Sequence, residues 1–148
     1  MTAPIPDEIL TRIAEVAEVY YRLVLVVGRS GTGKTAALQE VARRAGYPLV
    51  NVNLELSRRL LDLPERRRAL QVPRILDEIV ADAPGDVVLL DNIEILFDAA
   101  LKQDPLRCLQ SLSRNRTLVV AASGSRGQRR ALCQHSRASS VQGWPPWL

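Results

Sequence analysis

Eight consecutive residues, Gly28-Arg29-Ser30-Gly31-Thr32-Gly33-Lys34-Thr35, put glycines, hydroxyls and one lysine in a spacing suited to a polyphosphate. A triphosphate is a dense negative charge. Glycines let the main chain turn tightly and aim its N–H groups inward at the phosphates. A helix beginning at the same place adds its positive dipole end. In that arrangement Lys34 reaches the β- and γ-phosphates and the Thr35 hydroxyl ligates Mg2+. The segment from Gly28 through Arg29, Ser30, Gly31, Thr32, Gly33 and Lys34 to Thr35 therefore reads as a phosphate-binding P-loop. Its ligand would be ATP or another nucleoside triphosphate, with Mg2+.

A second signal lies further along. Val87-Val88-Leu89-Leu90-Asp91 is an apolar run tipped with a carboxylate. At the carboxyl end of a buried strand such an acid faces the ligand crevice of an open α/β sheet. There Asp91 can hold the Mg2+ through water. Hydrolysis further needs a group that orients water. ATPases with an added strand between the P-loop strand and this acidic strand often carry Glu directly after the Asp. This chain has Asn92 there and Glu94 two residues on. Asn92 can position water but cannot accept its proton, and Glu94 can do so only if the turn brings it back over the site. Slow turnover is the expectation. Arg114 and Arg116, before the fourth expected strand, are candidates to reach a neighbouring subunit's phosphate; the alternative is an arginine that complements a helix end. Ser123 ends that strand, where related ATPases sense the γ-phosphate. Asn51 and Asn53 either approach the crevice or form a turn.

These groups need a scaffold that brings distant segments to one edge. Apolar residues recur at helical spacing over 7–21. Leu23–Val27 is a short continuous apolar run, a strand buried on both faces. A helix follows over 33–45, stopped by Gly46. A strand is expected over 48–53, and helices over 57–63 and 73–83 with breaks at Pro64 and around Pro73. Val87–Asp91 is the third strand. A helix over 104–114 has Asp104 as its cap and Pro105 in its first position. Thr117–Ala122 is the fourth strand. Buried strands alternating with helices predict an α/β fold: a mainly parallel sheet with helices on both faces, a minimal P-loop domain without a lid.

Composition narrows the class. The 148 residues suit one domain, and with 47% hydrophobic but only 4% aromatic residues the core must be aliphatic. No apolar run is long enough to span a membrane, and the first residues lack a secretory pattern, so a reducing cytoplasm is expected. Cys108 and Cys133 have no metal-ligand spacing. The formal charge of +4 belongs to one end of the chain. Arg126, Arg129, Arg130 and Arg137 all follow Ala122, and no acid does, so residues 1–122 are neutral. Arg58, Arg59, Arg66, Arg67, Arg68 and Arg74 cluster among acids, which suits a self-neutralising helical surface better than a DNA site, although DNA contact stays open. Residues 123–148 show neither helical nor strand period and read as an irregular basic tail.

The stretches NVNLELSRRLLDLPERRRALQVPRILDEI and LLDNIEILFDAALKQDPLRCLQSLSRNRTLVVAA resemble the small P-loop protein (BrxF-type) of type 3 bacteriophage exclusion, or BREX, systems, over residues 7–122. The resemblance implies a role in bacterial defence against phage, beside a DNA methyltransferase and larger ATPase and phosphatase-like components. The family motif carries over at Gly28, Gly33, Lys34, Thr35 and Asp91. The tail departs from the family pattern: Ser123-Gly124-Ser125 and an arginine-rich run replace a Trp-Asn-Gly segment. A frameshift near residue 122 would explain that and would remove a terminal strand. Two other functions stay open, a small metabolite kinase with Arg66–Arg68 as its lid and a non-hydrolysing interaction module. A homo-oligomer is compatible with each.

Overall fold

The computed structural model describes residues 5–27, 33–122 and 139–141. Helix α1 (Ile5–Val16) buries Ile9, Ile13 and Val16 along one stripe. It ends before the expected 21 because the stripe has nothing more to bury: Tyr20 stands 63% exposed. Strand β1 (Leu23–Val27) is buried throughout. Helix α2 (Lys34–Ala45) starts after Gly33 and stops at Gly46, whose left-handed φ of 73° lets its N–H reach the Ala42 carbonyl at 2.8 Å.

Strand β2 (Leu49–Asn51) is shorter than expected. The Asn51 side chain accepts the Leu54 N–H at 3.1 Å, so Val52 and Asn53 open helix α3 (Val52–Leu60) instead of extending the strand. Helix α4 (Glu65–Asp82) runs straight through Pro73, where the sequence reading placed a break. A proline in a helix interior has no N–H to give the carbonyl four residues back, here Ala69. Gln103 repairs this from outside the helix: its Nε2 donates to the Ala69 carbonyl at 2.6 Å. The lost bond is replaced, and α4 continues.

Strand β3 (Val87–Asp91) is buried along its length. Two 3-10 turns follow, Ile93–Phe97 and Ala99–Leu101. Helix α5 (Pro105–Leu112) is capped by Asp104, which accepts the Arg107 N–H at 3.2 Å. Strand β4 (Thr117–Ala122) is again fully buried.

The sheet order is β2-β3-β4-β1-β5, with parallel pairing between all neighbours. The fifth strand, β5 (Ser139–Val141), lies on the free edge of β1 with Val24 opposite Ser139. This corrects the reading of 123–148 as irregular throughout and without a terminal strand. Three residues cannot display a period of two, so no sequence pattern announced them. The other tail residues lie outside the described residues.

Side-chain alternation along the strands makes two cores. Leu23, Leu25 and Val27 join α3, α4 and α5 on one face. Val24 and Val26 join α1 and α2 on the other. The parallel sheet with helices on both faces is the predicted architecture. Because all strands point the same way, Val27 pairs with Ala122 and Asn51 with Asp91 at one common edge.

Candidate functional site

That carboxyl edge is where the chemistry collects. Strand β1 ends at Val27, and the chain re-enters the described residues at Gly33, the N-cap of α2. Gly33 has φ 92°, a conformation that costs an L side chain roughly 1–2 kcal/mol. A Cβ there would meet nothing within 4 Å, so the backbone angle alone demands glycine. Gly28, Arg29, Ser30, Gly31 and Thr32 lie outside the described residues, as does Ser123.

Lys34 and Thr35 open α2. Lys34 is only 7% exposed, although charged. The Thr35 hydroxyl donates to Asp91 Oδ2 at 2.7 Å, across 56 positions of sequence. Asp91 is likewise 7% exposed, and its other oxygen, Oδ1, accepts the Asn92 N–H at 2.9 Å. A carboxylate buried this far is stable only when its oxygens are hydrogen-bonded, and both are. The structure thus brings together Lys34, Thr35 and Asp91 from the first turn of α2 and the tip of β3.

The hydroxyl and carboxylate oxygens are hard donors of the kind Mg2+ takes, and they sit where the sequence placed the ion. With a buried lysine at the head of the same helix, the donor set fits a metal-bound polyphosphate.

Asn92 follows Asp91 with φ 55°, a left-handed turn that asparagine tolerates better than most residues. Its carbonyl accepts the Asn53 N–H at 3.0 Å, which ties the tip of β3 to the first turn of α3. Asn51 and Asn53 therefore build the α3 start: the first caps it, and the second holds Asn92. Glu94 is exposed on the turn after Asn92, while its neighbours Ile93 and Leu96 are buried.

Arg114 and Arg116 are elsewhere. Both precede β4 and stand at the amino-terminal edge of the sheet, opposite Asp91. Arg116 complements a helix end, the alternative named for it, although the helix is α4: its guanidinium donates to the carbonyls of Val80 at 2.7 Å, Ala81 at 3.3 Å and Ala83. It closes the end of its own chain's α4, where orphan carbonyls attract a cation. Arg114 lies over the Tyr20 ring, 5.0 Å from its centre.

The arginines between β2 and β3 are mostly spent locally. Arg58 faces Glu55, Arg59 faces Glu78 and Asp82, and Arg74 faces Glu78. Arg68 donates through Nε to the carbonyls of Leu60 at 3.1 Å and Leu63 at 3.2 Å, closing α3. Residues 66–68 are built into α4 and do not form a lid. The signals for Gln103 and Arg68 as caps were absent from the sequence, since each reaches a carbonyl fixed only by tertiary structure.

Comparison with known proteins agrees with this geometry. The model of the ATPase family associated with various cellular activities (AAA) matches residues 24–140. A comparison with proteins of curated function finds no match. Among solved structures, a DNA replication initiation factor superposes with TM-score 0.55 at 15% identity, covering 91% of this chain and 43% of its own. PCH-2 of C. elegans superposes with TM-score 0.51 at 19% identity, covering 95% of this chain and 42% of its own. The replication initiator DnaA bound to AMPPCP and single-stranded DNA gives 0.52 at 14% identity, covering 93% and 44%. This chain thus spans less than half the length of these three structures, which share its fold. No described helix is long and apolar enough to cross a membrane. The chain belongs to the ATPase family associated with various cellular activities.

Proposed function

We propose that this chain is the ATP-binding P-loop subunit of a bacterial anti-phage defence complex of the BREX type 3 kind, acting in the cytoplasm. Nucleotide occupancy is its switch, and hydrolysis is slow until a partner completes the site. The observation that carries nucleotide binding is the 2.7 Å bond between the Thr35 hydroxyl and Asp91 at the head of α2. ATP is the nucleotide its family is built around. The defence role rests on the resemblance of residues 7–122, which implies a methyltransferase and larger ATPase and phosphatase-like proteins as partners. A second copy of the chain and DNA are further candidate partners.

Thr35 and Asp91 would hold Mg2+, which when bound offsets phosphate charge and polarises the terminal phosphoryl group. Lys34, at the helix head, offsets the charge of the phosphates. The left-handed turn at Asn92 follows directly on Asp91. Its amide can hold a water by hydrogen bonds but has no basic site for the water's proton. Positioning without deprotonation is the reason turnover is slow.

The alternative of a non-hydrolysing interaction module rests on the same asparagine. Phosphate release separates the two. The purified chain alone is expected to release phosphate from ATP barely above background, and addition of the neighbouring defence proteins is expected to raise the rate at least about tenfold, a barrier reduction of ~1.4 kcal/mol. No rise with any partner would leave the interaction module standing. Phosphoryl transfer from ATP to a metabolite in place of release to water would overturn both.

A further inference from the structure

The opposite edge of the sheet carries a second constellation. Residues 17–22 lead into β1, and residues 113–116 lead into β4. Since β1 and β4 pair along their length, these two loops lie side by side. They are stitched together by three bonds. The Arg22 N–H donates to the Ser113 carbonyl at 3.1 Å, the Leu118 N–H donates to the Arg22 carbonyl at 2.8 Å, and the Arg22 guanidinium donates to the Arg114 carbonyl at 3.2 Å. These bonds join the two loops into one platform.

On it stands Tyr20, 63% exposed, in a chain with few aromatic residues. The Arg114 guanidinium lies 5.0 Å from its ring centre, and Tyr21 meets it edge-on at 4.7 Å. A hollow of about 410 Å³ opens beside them, lined by Tyr20, Ser111, Arg114 and Asn115. That is room enough for a nucleoside. Arg22 and Arg114 give the two loops positive charge, against Glu18 and the adjacent Asp86.

An aromatic ring, a guanidinium already stacked on it, and an amide in one hollow match a nucleobase. Bases stack on tyrosine rings and on guanidinium planes. Asn115 offers both a donor and an acceptor to a base edge, and arginines take the phosphate.

We propose that the Tyr20–Arg114 hollow binds a nucleobase with its phosphate, carried by a single strand or by a free nucleotide. This site is separate from Lys34, Thr35 and Asp91 and does not depend on their occupancy.

The test uses the full chain without ATP, because ATP itself carries a base and phosphates and would compete for the hollow. The probe is a fluorescein-labelled oligothymidine of about twelve nucleotides, followed by anisotropy. Saturable binding is expected in the wild type. Tyr20→Ala should weaken it roughly tenfold or more, Arg114→Ala similarly, and Tyr20→Phe should stay within about twofold, because the ring and not the hydroxyl makes the stack. Competition by thymidine monophosphate at millimolar levels would assign a free nucleotide, and its failure with continued strand binding would assign a single strand. Both support the proposal. No binding in the wild type would overturn it. So would equal binding by Tyr20→Ala, which would trace the affinity to the arginines after Ala122. Equal affinity for a duplex would also overturn it, since paired bases cannot enter the hollow.

Discussion

Asp91 shows most sharply what a single residue carries. Its two oxygens have different tasks: one meets Thr35, the other fixes the turn at Asn92. Asp91→Asn keeps the shape, its amide oxygen accepting the Asn92 N–H and its NH2 donating to the Thr35 hydroxyl, but removes the charge a metal needs. The expected outcome is a folded protein whose ATP affinity no longer rises when Mg2+ is added, a loss of about 2 kcal/mol at saturating metal. Calorimetric titrations with Mg2+ and with chelator check it. Undiminished Mg2+ dependence would remove Asp91 from the metal site. At Asn92 the account predicts a gain. Asn92→Glu supplies a proton acceptor beside the site, and phosphate release should rise, while the left-handed φ of 55° costs the longer side chain about 1 kcal/mol of stability. A faster enzyme with a slightly lower urea midpoint is the expected result; unchanged release would mean the water is held elsewhere. Lys34, Thr35 and Asp91 were legible in the sequence because phosphate chemistry fixes their types and spacing. The parts played by Asn51 and Asn53 were not, since a strand end and a helix cap share the same asparagines.

Among the elements, α4 holds a testable compensation. Pro73 leaves the Ala69 carbonyl without its helical donor, and Gln103 returns one from 34 positions beyond Ala69. Gln103→Leu should leave the Ala69 carbonyl short of a partner and lower stability by about 1 kcal/mol. In a Pro73→Ala background the helix supplies its own N–H, so the same substitution should cost clearly less. Urea unfolding of the four proteins measures that coupling, and strict additivity would deny it. This is also why the sequence suggested a break: proline was visible, whereas its remedy depends on packing. Helices α1 and α2 meet through charges. Glu40 accepts from Arg43 and Arg44, and Arg44 reaches Asp7 at 2.6 Å. The hydrogen bonds from Arg43 and then Arg44 lower the Glu40 carboxyl from its ordinary 4.5 to about 2. A depressed acid stabilises the fold above its unfolded value and loses that contribution as pH falls through the folded one. Glu40→Gln should therefore lower the melting temperature near neutrality and match the wild type as pH approaches 2. Solvent screening keeps the difference small. A gap that persists at the acid end would assign it to packing.

At the scale of the whole molecule, the parallel order puts every strand's carboxyl end on one side, which is what makes a nucleotide site from residues 56 positions apart. The strands β1, β3 and β4 were legible as unbroken apolar runs, because burial on both faces leaves no polar positions. The edge strand β5 was not, since three residues with one apolar member carry no pattern. Deleting residues 139–148 exposes the edge of β1 and should lower the melting temperature by about 5 °C. An unchanged melting temperature would show that β5 adds nothing to the sheet. The central claim is that a nucleoside triphosphate binds at the head of α2, and calorimetric titration of Mg2+–ATP into the full chain and into Lys34→Ala tests it most directly. The account predicts saturable binding to the wild type, weakened by at least about thirtyfold (~2 kcal/mol) in the variant, with both proteins equally folded by circular dichroism. Equal affinity in the two would contradict it.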